Sequence, residues 1–237
     1  MAKILLLETA TEVCSAAIGV DGKVAALAEV PRAESHSAVL TRLIDECVHT
    51  AGITLDALDA VAVSAGPGAY TSLRVGVSTA QGICYALSKP LIAVDTLYSL
   101  AAASRAAPGN HAGDIYLPMI DARRQEVWMA AYDHQLQLLR SAGPVILENN
   151  LFELYLRDLP GYDKVERFVL SGNGGKKIEN VPKVERTVLA PVVSCSASFM
   201  ADTAERLFKN NDFQDVAYFT PVYMKPPNIT QPAKSIL

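Results

Sequence analysis

Residues 64–87, SAGPGAYTSLRVGVSTAQGICYAL, decide the fold. They begin inside an apolar run, AVAVSAG (60–66), of the kind a strand buried on both faces carries. A Gly-Pro-Gly loop follows, then a segment of helical spacing that closes near Lys89-Pro90. The loop turns the chain from strand into helix, and the amides it leaves at a helix N-terminus can draw a phosphate. Within the helix Ser72, Gly76, Ala80 and Cys84 recur every four residues as one small-residue stripe, flanked by Leu73, Val77 and Leu87. A stripe without bulk lets a neighbour approach closely. A glycine there costs about 1 kcal/mol of helix propensity against alanine, so close packing is the expected compensation. Two arrangements satisfy the stripe: the helix covers its own sheet, or it packs against a helix of another chain.

Upstream, KILLLET (3–9) reads as a buried strand, VCSAAIGV (13–20) as a second and KVAALAEV (23–30) as a third, with Asp21-Gly22 as the tight turn between the last two. The next segment is helical, with Val39, Leu40, Leu43, Ile44, Cys47 and Val48 at i, i+3, i+4 spacing, Ser35 or Ser37 as cap and Gly52 as stop. Its apolar face is wide. One side must cover a sheet; the rest, with Leu40, Leu43 and Cys47, either covers the same sheet or faces outward. Downstream, LIAVDT (91–96) is a short strand and LYSLAAASRAA a helix. The order βββαβαβα differs from a plain Rossmann-type domain, which alternates from its first strand.

PGNHAGD (108–114) is the best linker, and the pattern then restarts. IYLPMIDA is a strand, residues 123–125 a turn, EVWMAAYD a strand; PVILENNLFELYL runs from strand into short helix, and RFVLSGNGGKKI from strand into a glycine loop. Two halves, 1–107 and 108–237, that each open with a β-turn-β unit suggest duplication. An amphipathic helix over 195–210, with Phe199, Met200, Ala204 and Leu207 on one side, is expected to pack back on the first half. The proline-rich tail is expected to be extended.

The chain has 237 residues, 50% of them hydrophobic and 19% charged, below the usual share of about 25% charged. That combination points to a large core or to an apolar surface kept for a partner. The net charge of −4 argues against strong nucleic-acid binding by the chain alone, though not against a local basic patch. Cys14, Cys47, Cys84 and Cys195 form no CxxC pair and read as buried, reduced thiols. The N-terminus has too few apolar residues for a signal peptide or a membrane span, so a cytoplasmic protein is expected.

The layout resembles one half-domain and its degenerate copy in the actin-like (ribonuclease H-like) superfamily: α/β, mixed sheets flanked by helices, the second half reduced. More closely, ILLLETAT, the 64–87 stretch and PLIAVDTLYSLA are similar to the TsaB family, and YLPMIDARRQEVWMAAYD, LSGNGG and PVYMKP continue the likeness more thinly. The GPGxxTxLRxG segment, Gly66 to Gly76, is the most specific part; Ala69-Tyr70 and Ser72 depart from the commoner Ser-Phe or Ser-Tyr and Gly.

The resemblance implies a non-catalytic scaffold that binds a TsaD-type catalytic subunit and, with a TsaE-type ATPase, supports threonylcarbamoyl transfer to adenosine beside the tRNA anticodon. It implies a partner interface, or a homodimer, on the two helices carrying Leu40, Leu43, Cys47, Ser72, Leu73, Gly76, Ala80 and Cys84. It implies contact with tRNA only through partners, and no membrane. No cofactor of its own is expected; ATP or ADP at the shared interface would lie near Gly66, Gly68, Thr71 and Arg74.

The residues support that division of labour. Actin-like ATPases hold phosphate on short hairpin turns that need glycine and an acidic strand end. Here ETATEVCS has Glu8 in place of the usual Asp and no glycine before Gly19, and DARRQE carries Asp121 but crowds it with Arg123 and Arg124. SGNGGKK reads as a turn more readily than as an adenine-side loop. His36, His49, His111 and His134 include no i, i+4 pair, so the metal site of catalytic relatives is not expected. Ser37 beside His36 is only a sequence neighbour, and no GxSxG or HExxH occurs. A degenerate phosphotransferase is the rival reading, and a glycoprotease-like peptidase a distant third.

Overall fold

The computed structural model describes residues 1–225. The elements are β1 (Lys3–Glu8), β2 (Cys14–Val20), β3 (Lys23–Val30), α1 (His36–Thr50), β4 (Ala60–Gly66), α2 (Tyr70–Leu87), β5 (Leu91–Asp95) and α3 (Thr96–Ala106), then β6 (Asp114–Asp121), β7 (Glu126–Tyr132), β8 (Leu138–Ile146), α4 (Leu151–Arg157), β9 (Arg167–Ser171), β10 (Thr187–Leu189) and α5 (Ala201–Lys209).

The first sheet has the order β3-β2-β1-β4-β5 and the second the order β8-β7-β6-β9-β10. In each, the first three strands form an antiparallel meander and the last two run parallel to the meander's first strand. The same topology is thus built twice. The second copy is reduced: α4 has 7 residues where α1 has 15, and a 3-10 stretch, Asn173–Asn180, stands where the first half has the 18-residue α2.

The continuous apolar runs reflect burial on both faces. Leu5, Leu7, Val61 and Val63 face α1 and α2, while the alternate residues Ile4, Leu6, Ala60 and Ala62 face Met200, Ala201 and Ala204 at the start of α5. Helix α3 joins the halves: Leu97, Leu100 and Ala101 pack with Tyr116, Ile120 and Trp128 of the second sheet. Asp21 and Gly22 take φ of 49° and 74°, the pair of left-handed residues a two-residue hairpin turn requires.

Three details differ from the sequence reading. β8 starts at Leu138 rather than Pro144, β10 has no clear signal in its three residues, and the segment over 195–210 divides into a 3-10 turn, Ala197–Met200, followed by α5. Among the described residues no helix is long and apolar enough to cross a membrane.

Candidate functional site

The small-residue stripe faces inward. A methyl placed on Gly76 would lie 2.2 Å from Thr9 Oγ1, so the glycine is the gap through which α2 settles onto the turn after β1. Ser72, Leu73, Ala80 and Cys84 are buried beside it. On α1, Leu40, Leu43 and Cys47 are buried against the same sheet. The Cys47 thiol donates to Ala16 O at 2.9 Å, and burial pushes both Cys47 and Cys84 up to about 11. These eight residues are buried and so do not form an exposed partner surface, which corrects the expectation that they would. The two helices cover their own sheet with that face and turn another outward. The outer face carries Ala38, Thr41, Asp45 and Glu46 on α1, and Ser78, Gly82, Tyr85 and Ala86 on α2. Tyr85 is 85% exposed, and a methyl on Gly82 would meet nothing within 4 Å.

Between the halves lies a cleft of about 830 Å³. Its walls are the turn after β1 (10–12), the start of α1 (34–37), the start of α2 (68–72), the turn after β6 (120–123), Trp128, Asn173 and the C-terminal residues 223–225. The Gly-Pro-Gly loop closes one end. Gly68 rests on the first turn, where a methyl would come within 2.5 Å of Ala10 O, and the Ala69 amide donates to that oxygen at 2.7 Å. Gly66, at φ 106°, meets the C-terminal segment: a methyl there would lie 2.7 Å from Val222 O, while Val222 N donates to Ala65 O at 2.8 Å. Both glycines are used for close backbone packing. Thr71 is exposed and lines the cleft, and Arg74, a turn further along α2, is exposed. Arg74 lies over the Tyr70 ring at 4.6 Å and its Nε donates to Tyr223 Oη at 3.1 Å.

Glu8 ends β1 fully buried. Its Oε1 accepts from Ala10 N at 2.6 Å; burial outweighs this bond and the nearby polar groups of Ser64 and Thr9, and pushes the carboxyl up to about 7. It holds the first turn together rather than opening to the cleft. The Thr9 and Thr11 hydroxyls beside it are buried without partners among the described residues.

The second turn is tied differently. Asp121 Oδ1 accepts from Arg123 N at 2.6 Å and pairs with Lys177. Asn173 then spans the cleft: its Oδ1 accepts from Asp121 N at 2.9 Å and its Nδ2 donates to Glu12 Oε2 at 2.7 Å. The glycines around Asn173 are filled by packing, for methyls on Gly172 and Gly174 would come 2.3 Å from Met119 O and 2.8 Å from Val127 Cγ1. The C-terminal segment also reaches the second half, where Lys225 pairs with Glu126 and lies 5.0 Å from the Trp128 ring centre. Asn173, Tyr223 and Lys225 are the cleft residues that sequence reasoning missed. Their partners lie 161, 149 and 99 positions away, and no local pattern signals them.

The hydrolytic reading has no geometry behind it. Ser37 Oγ is bonded to Ser35 Oγ at 3.1 Å, and His36 Nε2 lies 3.3 Å from Val13 O. Among the described residues no three His, Cys, Asp or Glu side chains converge on a point.

Comparison with known proteins places the chain. The family model described as TsaD, tRNA N6-adenosine threonylcarbamoyltransferase, matches residues 30–235. The tRNA threonylcarbamoyladenosine biosynthesis protein TsaB of Escherichia coli is 28% identical over 228 residues, 94% of each chain. A tRNA N6-adenosine threonylcarbamoyltransferase of Jannaschia sp. is 34% identical over 67% of this chain and 39% of its own length. Among solved structures, an uncharacterized Pseudomonas aeruginosa protein with similarity to the peptidase YeaZ superposes with a TM-score of 0.80 at 25% identity, covering 95% of this chain and all of the other. YeaZ from the same species gives 0.76 at 25% identity over 94% and 100%. With a family match across most of its length and a full-length likeness to TsaB, the chain belongs to the TsaD family and, within it, to the TsaB branch.

Proposed function

We propose that this protein is the non-catalytic subunit of a tRNA threonylcarbamoyladenosine-forming machinery. It docks on a TsaD-type catalytic subunit through the outward face of α1 and α2, and a TsaE-type ATPase acts with the pair. A second copy of the chain competes for the same face as a homodimer.

The observation that carries the reading is the first hairpin turn. In an actin-like phosphotransferase this turn must admit a phosphate to its amides. Here Gly68 and Ala69 lie on Ala10, and Glu8 is buried beneath. The outer helix face supports the docking half: along α2 it presents Ser78, Gly82 and Ala86 beside the exposed Tyr85, small neighbours that let a further helix approach closely about an aromatic anchor, while on α1 the small Ala38 and Thr41 stand toward the shared N-terminal end of the pair. ATP or ADP at a shared interface would meet Thr71 and Arg74, the exposed members of the loop-helix junction.

Reconstituted tRNA modification with purified partners, with and without this chain, tests the reading. Loss of modified adenosine on omission, with no activity from this chain alone, is expected. Full activity without it sinks the proposal. The cleft between the two hairpins keeps phosphotransfer as the rival, and steady ATP turnover by the pure chain would favour it.

A further inference from the structure

The turn after β6 holds two arginines in a backbone conformation that side chains disfavour. Arg123 and Arg124 have φ of 70° and 48°, consecutive left-handed residues of the kind that Asn and Gly supply at no comparable strain. Both side chains are exposed. The acids at either end of the turn would be their natural partners, yet Asp121 is paired with Lys177 and Glu126 with Lys225. Among the described residues neither arginine makes an ion pair. Two uncompensated guanidinium groups thus stand side by side at the tip of a hairpin, on a chain whose net charge is −4. Self-stability explains neither the backbone strain nor the charge. Strain retained at an exposed tip points to use of the side chains.

We propose that the Arg123–Arg124 turn is a phosphodiester-binding contact that grips the tRNA backbone when this subunit is in its complex. This deepens the role proposed above and rests on it for the choice of RNA. Guanidinium forks suit phosphate oxygens. Arg123 lines the cleft mouth, so the contact sits beside Glu12 and Asn173, where the two halves meet. A nucleotide phosphate offers the same chemistry, and the test separates the two sources.

The decisive variant combines Arg123→Asn with Arg124→Gly, residues that suit the turn. It should raise Tm by about 2–4 °C by relieving strain. It should leave co-elution with the catalytic subunit unchanged, while binding of labelled tRNA to the complex weakens about tenfold or more. Between about 50 and 200 mM salt its log K against log salt slope should be shallower by about 1–2. Arg123→Lys with Arg124→Lys should retain most of the affinity and the slope. Unchanged tRNA affinity and slope in the Asn-Gly variant overturn the proposal. So does a loss confined to ATP binding, which would assign the turn to a nucleotide. Failure of the unaltered chain to co-elute with the catalytic subunit would instead reject the docking role; the same salt titration on this chain alone then decides the RNA contact.

Discussion

Asn173 joins the two hairpins of the molecule by one side-chain amide: Nδ2 donates to Glu12 Oε2 at 2.7 Å while Oδ1 accepts from the Asp121 amide at 2.9 Å. Both bonds lie at the exposed rim of the cleft, so each contributes about 0.5–1.5 kcal/mol at most. Asn173→Ala should lower Tm by about 2–4 °C. It should also speed hydrogen exchange in the turns at 10–12 and 121–126 before that of the strands. Exchange unchanged in both turns would show that α3 and the C-terminal segment suffice to hold the halves.

Two glycines on α2 should respond oppositely to the same substitution. Gly76→Ala drives a methyl to 2.2 Å from Thr9 Oγ1 and should cost about 1–3 kcal/mol in urea unfolding. Gly82→Ala adds its methyl to open space and should stabilise by about 0.5–1 kcal/mol through helix propensity. Equal effects would mean that α2 is rotated relative to the sheet.

The outer helix face makes a separable prediction. Tyr85→Ala removes a side chain that is 85% exposed and should leave stability within about 0.5 kcal/mol. If Tyr85 anchors the docked partner, Kd should rise at least tenfold, measured by calorimetry against the catalytic subunit. Unaltered affinity would place the docking face elsewhere.

Glu8 predicts a pH signature. Its carboxyl is raised from 4.5 to about 7 by burial, so the folded protein holds this proton more tightly than the unfolded chain. Between those values folding is accompanied by proton uptake, and the Glu8 contribution to stability declines as pH rises. The full difference is about 3 kcal/mol. Glu8→Gln keeps an oxygen for the Ala10 amide and removes the titration. Urea midpoints should therefore favour the variant over the parent at about pH 8, with the gap closing toward about pH 5. A constant gap would mean that Glu8 titrates at its ordinary value in the fold.

The repeated β-turn-β opening, the Asp21-Gly22 turn and the helix after the Gly-Pro-Gly loop are legible in the sequence because each depends on neighbours a few positions apart. The side on which α2 meets the sheet is not. The Ser72-Gly76-Ala80-Cys84 stripe and the outward Ser78-Gly82-Ala86 row have the same spacing and nearly the same bulk. Periodicity finds both and cannot rank them. The choice is made by Thr9, which follows β1 and needs the gap at Gly76. The cleft is less legible still, since its ties join residues from opposite ends of the chain, and Asn173 sits in a glycine-rich segment that reads as a plain turn.

The helix that completes the first sheet is α5, the last one among the described residues. Ile4, Leu6, Ala60, Ala62, Ile92 and Val94 find their apolar cover in Ala197, Met200, Ala201 and Ala204, with Leu207 and Phe208 beside them. During synthesis, one face of the earliest strands must wait until α5 has left the ribosome, and at about 5–20 residues per second that exposure lasts about 10–40 s. A nascent chain with an uncovered apolar sheet is a natural client for holding chaperones. Emergence of α5 from the ribosome, rather than completion of the first 107 residues, then becomes the event that commits the first sheet to its native packing.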